Sequence, residues 1–161
     1  MKIRILTTGG TIDKIYFDQK SEFQVGEPQN SLLLDEANVT FDYSIESVLR
    51  KDSLDMTDTD RQLIVDQVLA GPDGHILITH GTDTMIATAQ RLAAQVRDKT
   101  IVLTGSMQPA RLRSSEAVFN IGFAIAAVQL LPPGTYIAMN GEIFDPLHSR
   151  KNVAMNRFEK V

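Results

Sequence analysis

The sequence predicts an α/β fold: three layers, with a mostly parallel, doubly wound sheet and helices on both faces. Short continuous apolar runs, Ile76-Leu77-Ile78 and Ile101-Val102-Leu103, have the pattern of parallel strands buried on both sides. Stretches with apolar residues at helical spacing separate them, so that strand and helix alternate. Polar clusters follow the runs directly, at residues 7–11, 79–83 and 104–106. Ligands of open α/β sheets lie outside the carboxyl ends of the strands, which puts these clusters on the functional edge.

Residues 2–7 read as the first strand, and Gly9-Gly10 permits a tight turn behind it. Residues 13–30 are polar and irregular, which is long for a loop in a compact domain. They read as a functional lid or as a surface β-hairpin flap, two compatible forms. A short helix over 31–37 and a strand within 39–49 follow. Thr57 stands as an N-cap, with Asp58 and Asp60 in the first turn of a helix that runs to Ala70 and stops at Gly71-Pro72-Asp73-Gly74. After the strand 75–79, Met85, Ile86, Ala89, Leu92, Ala93 and Val96 share one helical stripe. The strand 100–104 leads to a helix from about 114 to 131, stopped by Pro132-Pro133, and then to a strand over 135–139. The tail, 140–161, reads as turns, a short strand at 142–144 and a basic segment. The helix over 117–128 is apolar nearly all round, which points to burial on more than one side and, in so small a domain, to a subunit interface.

The 161 residues suit a single domain spanning 1–161, long enough to bury roughly 68–70% of its unfolded surface. A net charge of −4 without a basic run argues against nucleic acid and anionic membrane as partners. The absence of cysteine excludes disulfides, thiolate catalysis and Cys-based zinc sites, and fits a cytoplasmic location. No signal-peptide core is present, and no apolar run approaches the ~18 residues of a membrane span. His75, His80 and His148 lack metal-ligand spacing. Neither Gly-Lys-Ser/Thr nor Gly-x-Gly-x-x-Gly follows a strand, so no metal and no cofactor are expected.

Two stretches carry the chemistry. Ile5-Leu6-Thr7-Thr8-Gly9-Gly10-Thr11 and Leu77-Ile78-Thr79-His80-Gly81-Thr82-Asp83 each put a threonine hydroxyl just past a buried strand, beside glycines. If the two strands are parallel neighbours, Thr11 and Thr82 face one crevice. A threonine hydroxyl needs a base or a positive neighbour to act as a nucleophile. Asp83 can orient a lysine, and Gly10 and Gly81 leave N–H groups open to an oxyanion, so acyl transfer from an amide or ester is the expected chemistry. The same residues also suit ordinary turn chemistry, with Thr82 as a helix cap.

Taken together, Thr8-Gly9-Gly10-Thr11-Ile12 and His80-Gly81-Thr82-Asp83-Thr84-Met85 resemble the paired motifs of the bacterial-type L-asparaginases. Asp52-Ser53-Leu54-Asp55-Met56-Thr57, Leu103-Thr104-Gly105-Ser106-Met107-Gln108-Pro109 and Ala138-Met139-Asn140-Gly141-Glu142-Ile143-Phe144 resemble further segments of that family, and Lys151 falls where it keeps a catalytic lysine. The resemblance runs from Met1 to about Phe158. It implies a flavodoxin-like, N-terminal-type asparaginase domain that hydrolyses L-asparagine to L-aspartate and ammonia through a threonine acyl-enzyme. Carried over by position, Thr11 would attack the side-chain amide, while Thr82, Lys151 and Asp83 would form a second triad in which Lys151 moves protons. Asp83 would also bind the substrate's α-amino group and Ser53 its α-carboxylate. Gly10 and Gly81 would lie against the ligand, with the Thr82 N–H serving the oxyanion.

Three positions depart from the family pattern. Phe23 stands where the flexible loop carries a tyrosine, leaving Tyr16 as the substitute proton relay. Leu54 replaces a frequent glutamine, and the sequence stops where the family's second domain would begin. The resemblance therefore implies a short, single-domain form, a homo-oligomer (dimer or tetramer) with weaker substrate binding than two-domain enzymes. Alternatives are a hydrolase of glutamine or another small amide, a non-catalytic asparagine- or aspartate-binding regulatory domain, and a fragment of a longer enzyme. Outside the resemblance, His80 reads as a structural histidine, Glu116 as a capping residue, Arg111 and Arg113 as solvated, and Arg150-Lys151 as a surface basic pair.

Overall fold

In the computed structural model, which describes residues 1–17 and 22–161, β1 (Lys2–Gly9) leads into a hairpin of β2 (Lys14–Phe17) and β3 (Glu22–Val25). Asp18, Gln19, Lys20 and Ser21, within the stretch read as a lid or flap, lie outside the described residues. Next come α1 (Asn30–Glu36), β4 (Asp42–Lys51), α2 (Asp58–Ala70), β5 (His75–Thr79), α3 (Met85–Gln95) and β6 (Thr100–Thr104). The chain continues through α4 (Ala117–Leu130), β7 (Gly134–Met139), β8 (Glu142–Phe144) and a final hairpin of β9 (Ser149–Asn152) and β10 (Arg157–Lys160). The main sheet has the order β4-β1-β5-β6-β7-β8. It is parallel except for β8, which turns back on β7.

Alternation along the strands builds two cores. One face of the sheet carries Leu6, Ile76, Ile78, Ile101, Leu103, Ile137 and Met139 against Ile64, Val65 and Val68 of α2 and Met85, Ala89 and Leu92 of α3. The other carries Ile3, Ile5, Leu77, Val102 and Ala138 against Leu34 of α1 and Ala117, Ile121, Ala124 and Val128 of α4. The architecture is thus the predicted three-layer α/β sandwich. The unbroken apolar runs of β5 and β6 follow from helices covering both faces. Each fully buried aliphatic side chain contributes about 1.5–3 kcal/mol.

The topology places one crevice. From β1 the chain passes by α1, on one face, to β4 at the edge. It returns by α2, on the opposite face, to β5 on the other side of β1. The winding reverses between β1 and β5, the position at which open α/β sheets bind ligands.

The expectations for α4 and the tail need correction. The helix begins at Ala117, because 105–116 is an extended loop held by Glu116 and Ser115. One side of α4 is buried, as the apolar sequence requires. The other stays open, with Phe119 61% and Leu130 83% exposed and the Phe119 and Phe123 rings stacked at 6.4 Å. The tail contains the β9–β10 hairpin as well as turns: its polar Ser-Arg-Lys-Asn strand lacks the apolar alternation by which a strand is recognised. The segment over 13–30 is the flap form of the two readings, with Lys14 paired to Val25 and Phe17 to Glu22. Among the described residues no helix is long and apolar enough to cross a membrane.

Asn120, a fully buried amide in apolar α4, ties the ends of β6 and β7 together. Its Nδ2 donates to the Gly105 carbonyl at 2.9 Å, and its Oδ1 accepts from the Asn140 N–H at 3.1 Å. Asn120→Ala leaves both backbone groups without a partner and should cost about 2–4 kcal/mol in denaturant unfolding. A loss below about 0.5 kcal/mol would show that water replaces the amide.

Candidate active site

Thr7 of β1 lies beside Thr79 of β5 in parallel register, so the two chains leave the sheet at one level. Just beyond, Gly10 adopts φ +88°, and a Cβ there would sit 2.5 Å from the Cα and N of Gly81. A Cβ on Gly81 would sit 2.6 Å from the Cβ and Oγ of Ser53, buried past the end of β4. Gly10 therefore meets Gly81 backbone to backbone, Gly81 meets the Ser53 side chain, and glycine is required at both contacts. β1 and β5 are thus parallel neighbours, the condition the sequence reading set, and the contact brings the two glycine turns together.

Thr82, buried beside Gly81, meets a residue from the far end of the chain. Lys151 Nζ donates to Thr82 Oγ1 at 2.8 Å and to Asp83 Oδ1 at 2.6 Å. The Lys151 side chain is 13% exposed and that of Asp83 40%, so the cation is shielded while its carboxylate reaches solvent. Pairing of β9 with β10 separates the two basic neighbours. Arg150 reaches Glu159 on the exposed side, and Lys151, one residue on, reaches the crevice. Arg150-Lys151 is thus not a surface pair as its residues alone suggest.

Ser53 opens a 3-10 turn in which the Asp52 carboxylate accepts from the Leu54 N–H at 3.1 Å and pairs with Lys14 at 2.7 Å. Burial alone would raise the Asp52 carboxyl. Hydrogen bonds from Lys14 and Leu54, with the charges of Lys14 and Lys151, hold it below the usual carboxylate range. The Thr84 hydroxyl donates to the Ser53 carbonyl at 2.7 Å, locking this turn onto the start of α3. Leu54 itself is exposed.

Thr11 follows Gly10 in the 3-10 turn Thr11–Asp13 and is partly exposed. Its hydroxyl has no hydrogen bond among the described residues. Tyr16 sits on β2 opposite Phe23 in an edge-on contact with centroids 5.5 Å apart. It is 53% exposed, and its hydroxyl too lacks a hydrogen bond among the described residues. The structure thus joins Gly10, Gly81 and Ser53, and separately Thr82, Asp83 and Lys151, and leaves Tyr16 on the flap.

His80 is fully buried. Its Nδ1 lies 2.7 Å from the Gly81 carbonyl, an acceptor only, so Nδ1 carries the proton and Nε2 accepts from the Thr88 hydroxyl at 2.8 Å. Burial pushes the imidazole down to about 4 against the effect of the Gly81 bond, with Arg61 adding to the fall. The histidine is structural, as read, and holds the Gly81 turn. Glu116 binds the Met107 N–H instead of capping α4, and the Met107 sulfur lies 3.5 Å from Thr82 Oγ1. Arg111 is not simply solvated, since it donates to Gln29 Oε1 at 2.9 Å. Lys14, Met107 and Thr84 are contacts that sequence reading missed; the motif positions of Met107 and Thr84 offered a signal, and Lys14 had none.

A family profile described as "Asparaginase, N-terminal" matches residues 2–159. A component of the glutamyl-tRNA(Gln) amidotransferase of Methanococcus vannielii is 33% identical over 156 residues, covering 90% of this chain and 35% of the relative. L-asparaginase 2 of Bacillus subtilis is 30% identical over 154 residues, 88% of this chain and 41% of the relative. The thermostable L-asparaginase of Thermococcus kodakarensis superposes with a TM-score of 0.87 at 27% identity, over 100% of this chain and 51% of that one. The chain thus spans from about a third to about half the length of these proteins.

The neutral His80 makes an acid prediction. The unfolded imidazole titrates near 6.5 and takes up a proton that the folded one refuses down to about 4. Stability should fall as pH drops from 6.5 towards 4, by at most about 3 kcal/mol from this group. His80→Gln should remove that share of the slope in urea unfolding at pH 7, 6, 5 and 4. An unchanged wild-type-minus-variant difference across the series would assign the slope elsewhere.

Proposed function

This chain belongs to the asparaginase family, and from that premise we propose an amidohydrolase that converts L-asparagine to L-aspartate and ammonia through a threonine ester. The observation that carries the reading is Lys151 within hydrogen-bond reach of both Thr82 and Asp83, from 69 and 68 residues away, beside the Gly10–Gly81 contact. A turn alone needs no such lysine.

In this reading Thr11 Oγ1 bonds to the side-chain amide carbon as the carbonyl becomes an oxyanion facing the Thr82 N–H. The hydroxyl proton goes to the departing nitrogen by way of Thr82 and Lys151, the C–N bond breaks, and ammonia leaves. Water then adds to the ester, its proton returns to Thr11, and aspartate is freed. The solvent-reaching oxygens of Asp83 suit the substrate's α-ammonium, and the buried Ser53 hydroxyl its α-carboxylate. No cofactor enters. Glutamine is a second reading, favoured by the relative named for glutamyl-tRNA(Gln) amidation. We further propose that residues 1–161 act as a single domain in a cytoplasmic homo-oligomer, with copies meeting on the open face of α4. Light scattering should give a multiple of the 17.8 kDa chain mass that Phe119→Glu reduces; a monomeric wild type would refute the contact.

Ammonia release from L-asparagine and from L-glutamine, with Thr11→Ala as control, tests the function. The variant should lose at least about a hundredfold in kcat and still bind aspartate. Retained turnover would remove Thr11 from its role, and no wild-type turnover alongside thermal stabilisation by aspartate would favour a regulatory binding domain. Tyr16→Phe should slow turnover if Tyr16 relays the proton; an unchanged rate would leave the transfer to Lys151 or solvent.

A further inference from the structure

Asp13 stands two residues after Thr11 and has no part in the chemistry above. It is 1% exposed, rarer for a carboxyl than for any apolar neighbour. Its Oδ1 accepts from the Gln29 N–H at 2.9 Å, and its own carbonyl accepts from the Gly26 N–H at 2.8 Å. Its Oδ2 is buried without a partner among the described residues. Both donors belong to the limb that returns from the flap, so Asp13 holds that limb by backbone and by side chain.

The limb connects onward to the other half of the crevice. Asn30, next to Gln29, is buried and donates from Nδ2 to Thr79 Oγ1 at 3.2 Å, at the end of β5. Gln29 Oε1 accepts from Arg111, and the Ala110 N–H donates to the Ile12 carbonyl at 3.1 Å. The turn that carries Thr11 is thereby clamped between the flap's return and the 105–116 loop, with the Asp13 carboxyl at the joint.

We propose that Asp13 is a positioning residue for Thr11: its buried carboxyl latches the flap's return limb at Gln29 and so holds the nucleophile's turn. This rests on the reading of Thr11 as the nucleophile; the latch itself is a geometric statement about Asp13, Gly26 and Gln29.

The latch titrates. Burial raises the Asp13 carboxyl to about 6, against the lowering effects of the Gln29 hydrogen bond and of Arg50. The charged groups around it are Arg50 on β4, itself paired with Glu27; Lys14, paired with Asp52; and Arg111, held by Gln29. For an acid raised in the closed state, the favourable contribution is complete below the free value near 3.8 and is lost as pH rises through about 6. The return limb should therefore be tightest in acid and loosen as pH rises from near 3.8 through about 6.

The test is amide hydrogen exchange at Gly26 and Gln29 on the full chain, corrected for intrinsic rates, from pH 4.5 to 8. Wild-type protection at Gln29 should fall about tenfold or more between pH 5 and pH 7. Asp13→Asn, neutral at every pH, should show a flat profile, and Asp13→Ala should lose Gln29 protection throughout. A flat wild-type profile, or an asparagine variant that follows the wild type, would overturn the proposal. Should the alanine variant fail to fold, the asparagine variant decides. In ammonia release the alanine variant should lower kcat with KM little changed, because the nucleophile is displaced while the substrate contacts remain; a rise in KM alone would assign Asp13 to binding and overturn the positioning role. If no amide is turned over by the wild type, the function fails while the exchange profile still decides the latch.

Discussion

The structure depends on a contact between two backbones. A methyl group on Gly10 would meet the Gly81 backbone and force the β1 and β5 ends apart, and one on Gly81 would run into Ser53. The sheet supplies the register, Thr7 beside Thr79, and two glycines turn that register into one shared crevice. Ser53 closes the stack from β4, so three consecutive strands of the sheet bring their carboxyl ends to a single point. Placing polar groups there is possible because the apolar cores lie on the two faces of the sheet and leave its edge free.

Charge is then brought in from outside that stack. Neither glycine turn contains a cation, and a shielded lysine needs a carboxylate and a hydroxyl to hold it. The β9–β10 hairpin delivers Lys151 to Thr82 and Asp83, and the flap delivers Lys14 to Asp52. The site is therefore assembled from five segments, and its rigid part, the strand ends, carries the groups that must stay still. Its added parts are a hairpin and a flap, elements with fewer buried contacts and thus more freedom to admit a substrate.

Much of this is legible in the sequence, for physical reasons that differ by element. The buried strands show as unbroken apolar runs because both faces are covered, and α2 shows because Thr57 and Asp60 form a full capping box. Thr11, Thr82 and Asp83 stand out because strand ends in an α/β sheet have one functional side. Ser53 and Lys151 are different: a serine in a polar loop and a lysine in a polar strand carry no local mark, and only a family resemblance raises them. The start of α4 falls later than expected because the residues before Ala117 are polar and helix-compatible, while Glu116 is engaged by the Met107 N–H. The burial of Asp13 is invisible in the sequence, since a carboxylate in a polar stretch reads as solvated until the returning limb is seen to cover it.

In the proposed mechanism Thr11, and not Thr82, takes the acyl chain. Rapid acid quench of the wild-type protein with L-asparagine, followed by peptide mapping by mass spectrometry, addresses it directly. The account predicts an aspartyl ester on the peptide bearing Thr11. An aspartyl ester on the peptide bearing Thr82 instead would contradict it.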